Sequence, residues 1–146
     1  MLLREEVMKK TTLLNAPASS VVAQLGHGDS ICIGDAGLPV PNAVEKIDLA
    51  VSPGVPSLLD VFCAVTSEMF VERIVVAKEL QVQQPQLMNK LLAAIRILES
   101  NQNRHITLDT VEHVDFKPKM IHCKAFVRTG ECTPFANILL YAGVTF

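Results

Sequence analysis

Tryptophan is absent from this chain of 146 residues, and tyrosine occurs once. Six phenylalanines bring the aromatic share to only 5%, too thin for the stacking platforms that hold nucleic-acid bases. Charge of one sign is also lacking: 13 Lys and Arg stand against 15 Asp and Glu, a formal net charge of -2. With no basic excess to neutralise phosphates, no nucleic acid is expected as a partner. No apolar run approaches the ~20 residues needed to cross a bilayer, so no membrane association is expected. The start, Met1-Leu2-Leu3-Arg4-Glu5-Glu6-Val7, is too acidic and its apolar run too short for a secretory signal. The expected location is the cytoplasm.

Cysteine is sparse and unpatterned. Cys32, Cys63, Cys123 and Cys132 form no C-x-x-C pair, so neither a disulfide framework nor a zinc knuckle is indicated. Cys32, Cys63 and Cys123 sit in apolar runs and read as small buried hydrophobes. The histidines show no H-x-H or H-E-x-x-H spacing, so no metal site is expected. The glycines form neither G-x-G-x-x-G nor a P-loop, so no nucleotide is implied.

What is present is apolar content: 49% of residues are hydrophobic, enough for one domain's core and for subunit interfaces. Met8-Lys9-Lys10 reads as an alternative start. Residues 1–7 are accordingly expected to be a disordered extension, and residues 8–146 a single domain. Ser19 or Ser20 is placed to cap a short helix through Val21, Val22 and Leu25 that stops at Gly26. Ile31 to Gly34 reads as a buried strand, with Ile47–Val51 and Arg73–Ala77 as further strands. Ser57 and Asp60 form a capping box before a helix through Val61, Phe62 and Val65. Pro85 opens the clearest helix, with Leu87, Met88, Leu91, Leu92, Ile95 and Leu98 at helical spacing. Strands are also expected at 106–109, 123–128 and 136–141, with a helical segment near 114–120. Strands interleaved with helices predict an α/β layered fold. The last two strands, joined across the turn Gly130–Pro134, are compatible with an antiparallel pair and suggest a mixed sheet.

Two polar loops carry the chemistry. In Gly26-His27-Gly28-Asp29, a histidine lies just before a buried strand. It is either an exposed turn residue or a catalytic acid/base, for which an imidazole is suited at neutral pH. Asp29 reads as a turn or cap residue. Asp35 follows that strand, where α/β folds place ligand groups. It either binds hydroxyls or caps Gly37. His113 lies beyond another strand, and alone it reads as a surface residue. His105 and His122 have no supporting context. In Gly130-Glu131-Cys132-Thr133-Pro134-Phe135-Ala136-Asn137, the amide of Asn137 offers both donor and acceptor to a hydroxyl-rich ligand, or serves the turn alone.

Several stretches together resemble the family of ribose pyranases and L-fucose mutarotases. They are Leu25-Gly26-His27-Gly28-Asp29, Asp35-Ala36-Gly37-Leu38-Pro39-Val40-Pro41, Gly54-Val55-Pro56-Ser57, Val65-Thr66-Ser67-Glu68-Met69, Pro85-Gln86-Leu87, Arg128 through Ile138, and Ala142-Gly143-Val144-Thr145-Phe146. The resemblance runs from Met8 to Phe146, and the Asp-Ala-Gly-Leu-Pro form is closer to the ribose branch.

The resemblance implies a single-domain three-layer α/β/α sandwich with a mixed, mainly parallel sheet. It implies an isomerase that exchanges pyranose and furanose forms of ribose and needs no cofactor. His27 would be the acid/base, and Asp35, His113, Phe135, Ala136 and Asn137 would bind the sugar. It further implies a homodecamer of two stacked pentameric rings, with the site near a subunit boundary and completed by the neighbour's C-terminal segment. The chain departs at Phe135, where the ribose branch usually carries tyrosine: the ring face is kept and the phenolic hydroxyl is lost. Alternatives are a mutarotase for L-fucose or another monosaccharide, a non-catalytic sugar-binding module, and a purely structural oligomer.

Overall fold

The computed structural model describes residues 9–146, so the expected extension over residues 1–7 lies outside the described residues. Eleven elements follow one another: α1 (Ala16–Gln24), β1 (Ser30–Gly34), β2 (Glu45–Asp48), α2 (Leu58–Thr66), β3 (Val71–Ala77), α3 (Lys78–Gln83), α4 (Pro85–Gln102), β4 (Thr107–Val111), α5 (His113–Met120), β5 (Ala125–Arg128) and β6 (Ile138–Ala142). The six strands make one sheet in the order β2-β5-β1-β6-β3-β4. Its β1–β5, β2–β5 and β3–β4 pairs are parallel, and only β6, against β1 and β3, runs the other way. The sheet is mixed and mainly parallel, as expected.

One expectation about that sheet is corrected. β5 and β6 run in opposite directions, but they are not neighbours: β1 lies between them. All five residues of β1 are buried, which is what a strand covered on both faces and paired on both edges requires.

Strand pleating divides the core in two. Ile31, Ile33, Ile74, Val76, Ile138 and Leu140 point to one face, where α1 to α4 pack through Val21, Phe62, Leu80, Leu91 and Ile95. Cys32, Val75, Phe126 and Leu139 point to the other, covered by α5 through Phe116 and Met120 and by Leu38 and Val44 of the loop after β1. Burying side chains such as Phe116 and Phe126 contributes roughly 1.5–3 kcal/mol each. The result is a three-layer sandwich with a thick and a thin helical layer.

Local signals set most boundaries. Ser57 accepts from the Asp60 N–H at 3.1 Å and Asp60 accepts from the Ser57 N–H at 3.3 Å, the reciprocal box the sequence foretells. Pro85 opens α4, and Asn103 closes it in the left-handed conformation, φ 53°. The first helix begins earlier than expected. Asn15, not a serine, caps it by accepting from Ala18 N–H, and Pro17 fits its first turn. The second strand is shifted to 45–48. The helix α3 was not expected: only Leu80 of its six residues is buried, so its pattern is faint. Cys32 and Cys123 are buried, but Cys63 is exposed on the outer side of α2, against expectation.

Candidate active site

The parallel strands bring their carboxyl ends to one side of the sheet, and β6 begins there. Asp35 follows β1, His113 opens α5 just after β4, and Asn137 leads into β6. Asp35, His113, Lys117, Glu131, Thr133 and Phe135 line one open pocket of about 570 Å³. Asn137 is buried beside it and ties its walls together: its Oδ1 accepts from the Asp35 N–H at 2.9 Å. That bond needs the glycine at the end of β1. A Cβ on Gly34 would lie 2.6 Å from both Asn137 Oδ1 and the Phe126 ring.

The pocket is held by backbone rather than by chance packing. Asp35 Oδ1 accepts from the Gly37 N–H at 2.9 Å, closing the loop it begins. Both oxygens of Glu79 accept from the His113 N–H, at 2.9 and 3.2 Å, which places a carboxylate at the start of α5. Thr129 donates its hydroxyl to the Gly34 carbonyl at 2.8 Å, and Glu131 accepts from Leu58 N–H and from the Thr133 hydroxyl. Phe135 sits at φ 64°, a left-handed conformation that costs a residue with a Cβ roughly 1–2 kcal/mol. Its ring meets that of His113 edge to face, centroids 5.1 Å apart. Ala136, between Phe135 and Asn137 in sequence, is fully buried and its methyl packs in the core.

Two polar atoms here are buried without a hydrogen-bond partner: His113 Nδ1 and Asn137 Nδ2. Leaving such groups unpaired costs about 1–3 kcal/mol each, so the pair marks a place built for a polar ligand or water.

His27 is elsewhere. It lies before β1, at the amino end of the parallel strands, exposed, with its Nε2 2.9 Å from Glu72 Oε2. Asp29 Oδ2 accepts from the Gly26 N–H at 2.8 Å and shapes this loop, the turn role its sequence context suggests. A strand rises about 3.3 Å per residue, so the two ends of β1 stand on the order of 15 Å apart. Within one chain the structure gathers Asp35, His113, Phe135 and Asn137, and it does not bring His27 to them. His105 pairs with Glu99 on the surface at 2.7 Å. Among the described residues, no group of three or more His, Cys, Asp or Glu side chains is gathered as a metal site would need.

Reasoning from sequence passed over three residues. Lys117 stands four positions after His113, so helical periodicity placed it on the same side of α5. Glu131 stands in a polar turn whose sequence does not single it out. Glu72 gave no sequence signal, since an exposed acid near a strand's start is ordinary.

A mixed α/β sandwich with a compact polar pocket where parallel strands end defines a small-ligand-binding α/β protein. The chain belongs to the RbsD / FucU transport protein family, whose model matches residues 8–145. It is 52% identical over 139 residues to a D-ribose pyranase of Pasteurella multocida, covering 95% of this chain and 100% of that one. A D-ribose pyranase of Haemophilus influenzae is 50% identical over the same shares. Among solved structures, Bacillus subtilis RbsD complexed with D-ribose superposes with a TM-score of 0.84 at 40% identity, over 95% of this chain and all of that one. A fucose mutarotase in complex with L-fucose from Streptococcus pneumoniae shares the fold alone, with a TM-score of 0.67 at 18% identity over 94% of this chain and 99% of that one. No helix among the described residues is long and apolar enough to cross a membrane.

Proposed function

We propose that this protein is an isomerase of free sugars, a D-ribose pyranase that exchanges the β-pyranose and β-furanose rings. The observation that carries the reading is the pair of buried, unpartnered atoms His113 Nδ1 and Asn137 Nδ2, the first on a residue that lines the pocket with Asp35 and Phe135, the second on the residue that holds the Asp35 N–H. A furanose or pyranose offers hydroxyls that both donate and accept, which is what an imidazole nitrogen, an amide N–H and a carboxylate together require. The Phe135 ring supplies an apolar face for the sugar's C–H side. Relatives at 50% and 52% identity over nearly the whole chain, described as D-ribose pyranases, support the same substrate.

The chemistry is ring opening and reclosure at C1 driven by proton transfer, with no change of oxidation state. A base takes the proton of the anomeric hydroxyl while the ring oxygen gains one, the C1–O5 bond breaks, and the open aldehyde forms. The C4 hydroxyl then adds to C1 and loses its proton, and the former carbonyl oxygen regains one as the furanose closes. We assign the acid/base role to His27 and sugar binding to Asp35, His113, Phe135, Ala136 and Asn137.

Because His27 and the pocket occupy opposite ends of β1, a second copy must bring its His27 to the pocket. Self-association is therefore part of the reading, and two stacked rings of five copies is the assembly proposed. The furanose would be supplied to a phosphorylating enzyme in the cytoplasm.

Saturation-transfer NMR on free D-ribose tests the function directly. The protein should accelerate pyranose–furanose exchange, and His27→Ala should abolish the acceleration. Undiminished exchange by His27→Ala, or faster exchange on L-fucose than on ribose, would overturn the assignment.

A further inference from the structure

The amino end of the sheet contains a built pair that the reaction as described does not use. His27 Nε2 lies 2.9 Å from Glu72 Oε2, across 45 residues of sequence. An ionised carboxylate only accepts hydrogen bonds, so Nε2 carries the proton and Nδ1 is left as the ring's free acceptor.

Three local features converge on this geometry. In the β3–β6 pairing Val71 faces Ala142 and Arg73 faces Tyr141, so Glu72 is an extra residue in β3, a bulge. Bulges re-aim a side chain that a regular pleat would point elsewhere. The His27 loop is fixed to the same place: Gly28 N–H donates to the Ala142 carbonyl at 2.9 Å, and Ala142 N–H donates to the Asp29 carbonyl at 2.8 Å. Finally, Gly143 donates to the Phe70 carbonyl at 2.9 Å, and a Cβ there would stand 3.2 Å from Glu72 Cβ and 2.9 Å from the Phe70 ring. The chain after β6 has to be bare at that point for Glu72 to take its position.

The pair is exposed on both sides, 60% for His27 and 44% for Glu72. An exposed ion pair adds little to stability, so folding alone gives scant reason for a bulge, a glycine and two loop bonds to converge on it. We propose that Glu72 is a positioning residue for His27: it holds the proton on Nε2, presents Nδ1 to the sugar's anomeric hydroxyl, and steadies the imidazolium when Nδ1 takes the proton. The inference rests on the reading of His27 as the acid/base. The proton balance is closed at Nδ1: the proton it takes from the anomeric hydroxyl passes to the ring oxygen as C1–O5 breaks, the proton it takes from the C4 hydroxyl passes to the former carbonyl oxygen on closure, and the Nε2 proton never leaves.

The test combines ¹⁵N NMR of the His27 imidazole with saturation-transfer kinetics on D-ribose, using Glu72→Gln, Glu72→Asp and His27→Ala. In Glu72→Gln the preference for the Nε2–H tautomer should weaken, and kcat should fall roughly 10- to 100-fold, a part of what acid–base catalysis supplies, while KM holds within about twofold because Glu72 leaves the pocket untouched. Glu72→Asp, which keeps the charge, should recover part of the rate. An unchanged tautomer and unchanged kcat in Glu72→Gln, with His27→Ala inactive, would overturn the role of Glu72 and leave His27 standing. Full activity in His27→Ala would instead remove the acid/base reading itself. A Glu72 variant that fails to assemble is still decided by its tautomer, read in the isolated chain.

Discussion

Asn137 and Asp35 are 102 residues apart in sequence and are joined by one hydrogen bond of 2.9 Å, from the Asp35 N–H to Asn137 Oδ1. The bond crosses from the first strand of the sheet to the last. It fixes one side of the Asn137 amide and leaves the other, Nδ2, buried and unsatisfied at the pocket. One side chain thus has a structural half and a half set aside for a ligand.

Asn137→Ala should therefore fail in two separable ways. The orphaned Asp35 N–H should lower stability by about 1–3 kcal/mol, a drop in Tm of roughly 2–4 °C per kcal/mol in a domain of this size. Ribose affinity, measured by calorimetry well below the new Tm, should fall about tenfold or more. Retention of both quantities would show that the amide is an ordinary turn residue.

Gly34→Ala attacks the same point from the backbone. The new methyl would meet Asn137 Oδ1 and the Phe126 ring at 2.6 Å, closer than packing allows. Overpacking of this kind costs typically ~1–3 kcal/mol. Urea denaturation should show a lower midpoint with little change in slope. A midpoint equal to that of the parent chain would mean that the strand end is freer than its geometry indicates.

The cysteines make a third prediction. Burial pushes the Cys123 thiol up to about 11, and burial, then Cys123 and Asp35, push the fully buried Cys32 thiol far up as well. Thiolate is the reactive form, so both should resist iodoacetamide in the folded protein and react once it is unfolded. Cys63 is exposed, but partial burial and then Asp60 raise its thiol, so it should react slowly. Mass spectrometry of labelled peptides, folded and unfolded, reads all of this at once.

Acid should loosen two surface ties. Glu68 is held below the usual carboxylate range by the Thr11 hydroxyl and then by Lys9, 3.0 Å away. Asp48 is lowered chiefly by the Ala50 N–H and next by Arg128. A carboxyl lowered in the folded state contributes stability above its unfolded pKa and loses it as pH falls through the folded value. The loss should begin near pH ~4 and continue below it. It should be small, since Asp48 faces solvent and so does the Lys9 partner of Glu68. The double variant Glu68→Gln, Asp48→Asn should show a flatter fall of Tm over this range, and an unaltered slope would refute the assignment.

The legible parts of the fold were those fixed by short-range physics. β1 and β3 stood out because their apolar, β-branched residues tolerate burial on both faces, and α2 and α4 because a capping box and Pro85 mark their starts. α3 was not legible, since six residues with one buried leucine carry no period. Asn15 and the serines after it are all sound caps, and only the fit of Pro17 into the first turn decides among them. The place of β1 between β5 and β6 depends on pairing with partners far along the chain, Ile31 with Ala125 and with Leu140, which no local pattern encodes. His27 and Asp35 were both visible as polar groups flanking one strand. What was not visible is the company each keeps, because Glu72 reaches His27 through a bulge and Asn137 reaches Asp35 through the bare edge of Gly34.

The position of β6 has a consequence for how the chain is made. Every other strand precedes it in sequence, yet it sits inside the sheet, joining β2-β5-β1 to β3-β4. Until Ile138–Ala142 has left the ribosome, neither half-sheet has its inner neighbour, and both present open edges. A nascent chain stalled before residue 138 should hold two unjoined fragments rather than a smaller version of the fold. Folding that waits on so distant a contact is expected to be slow.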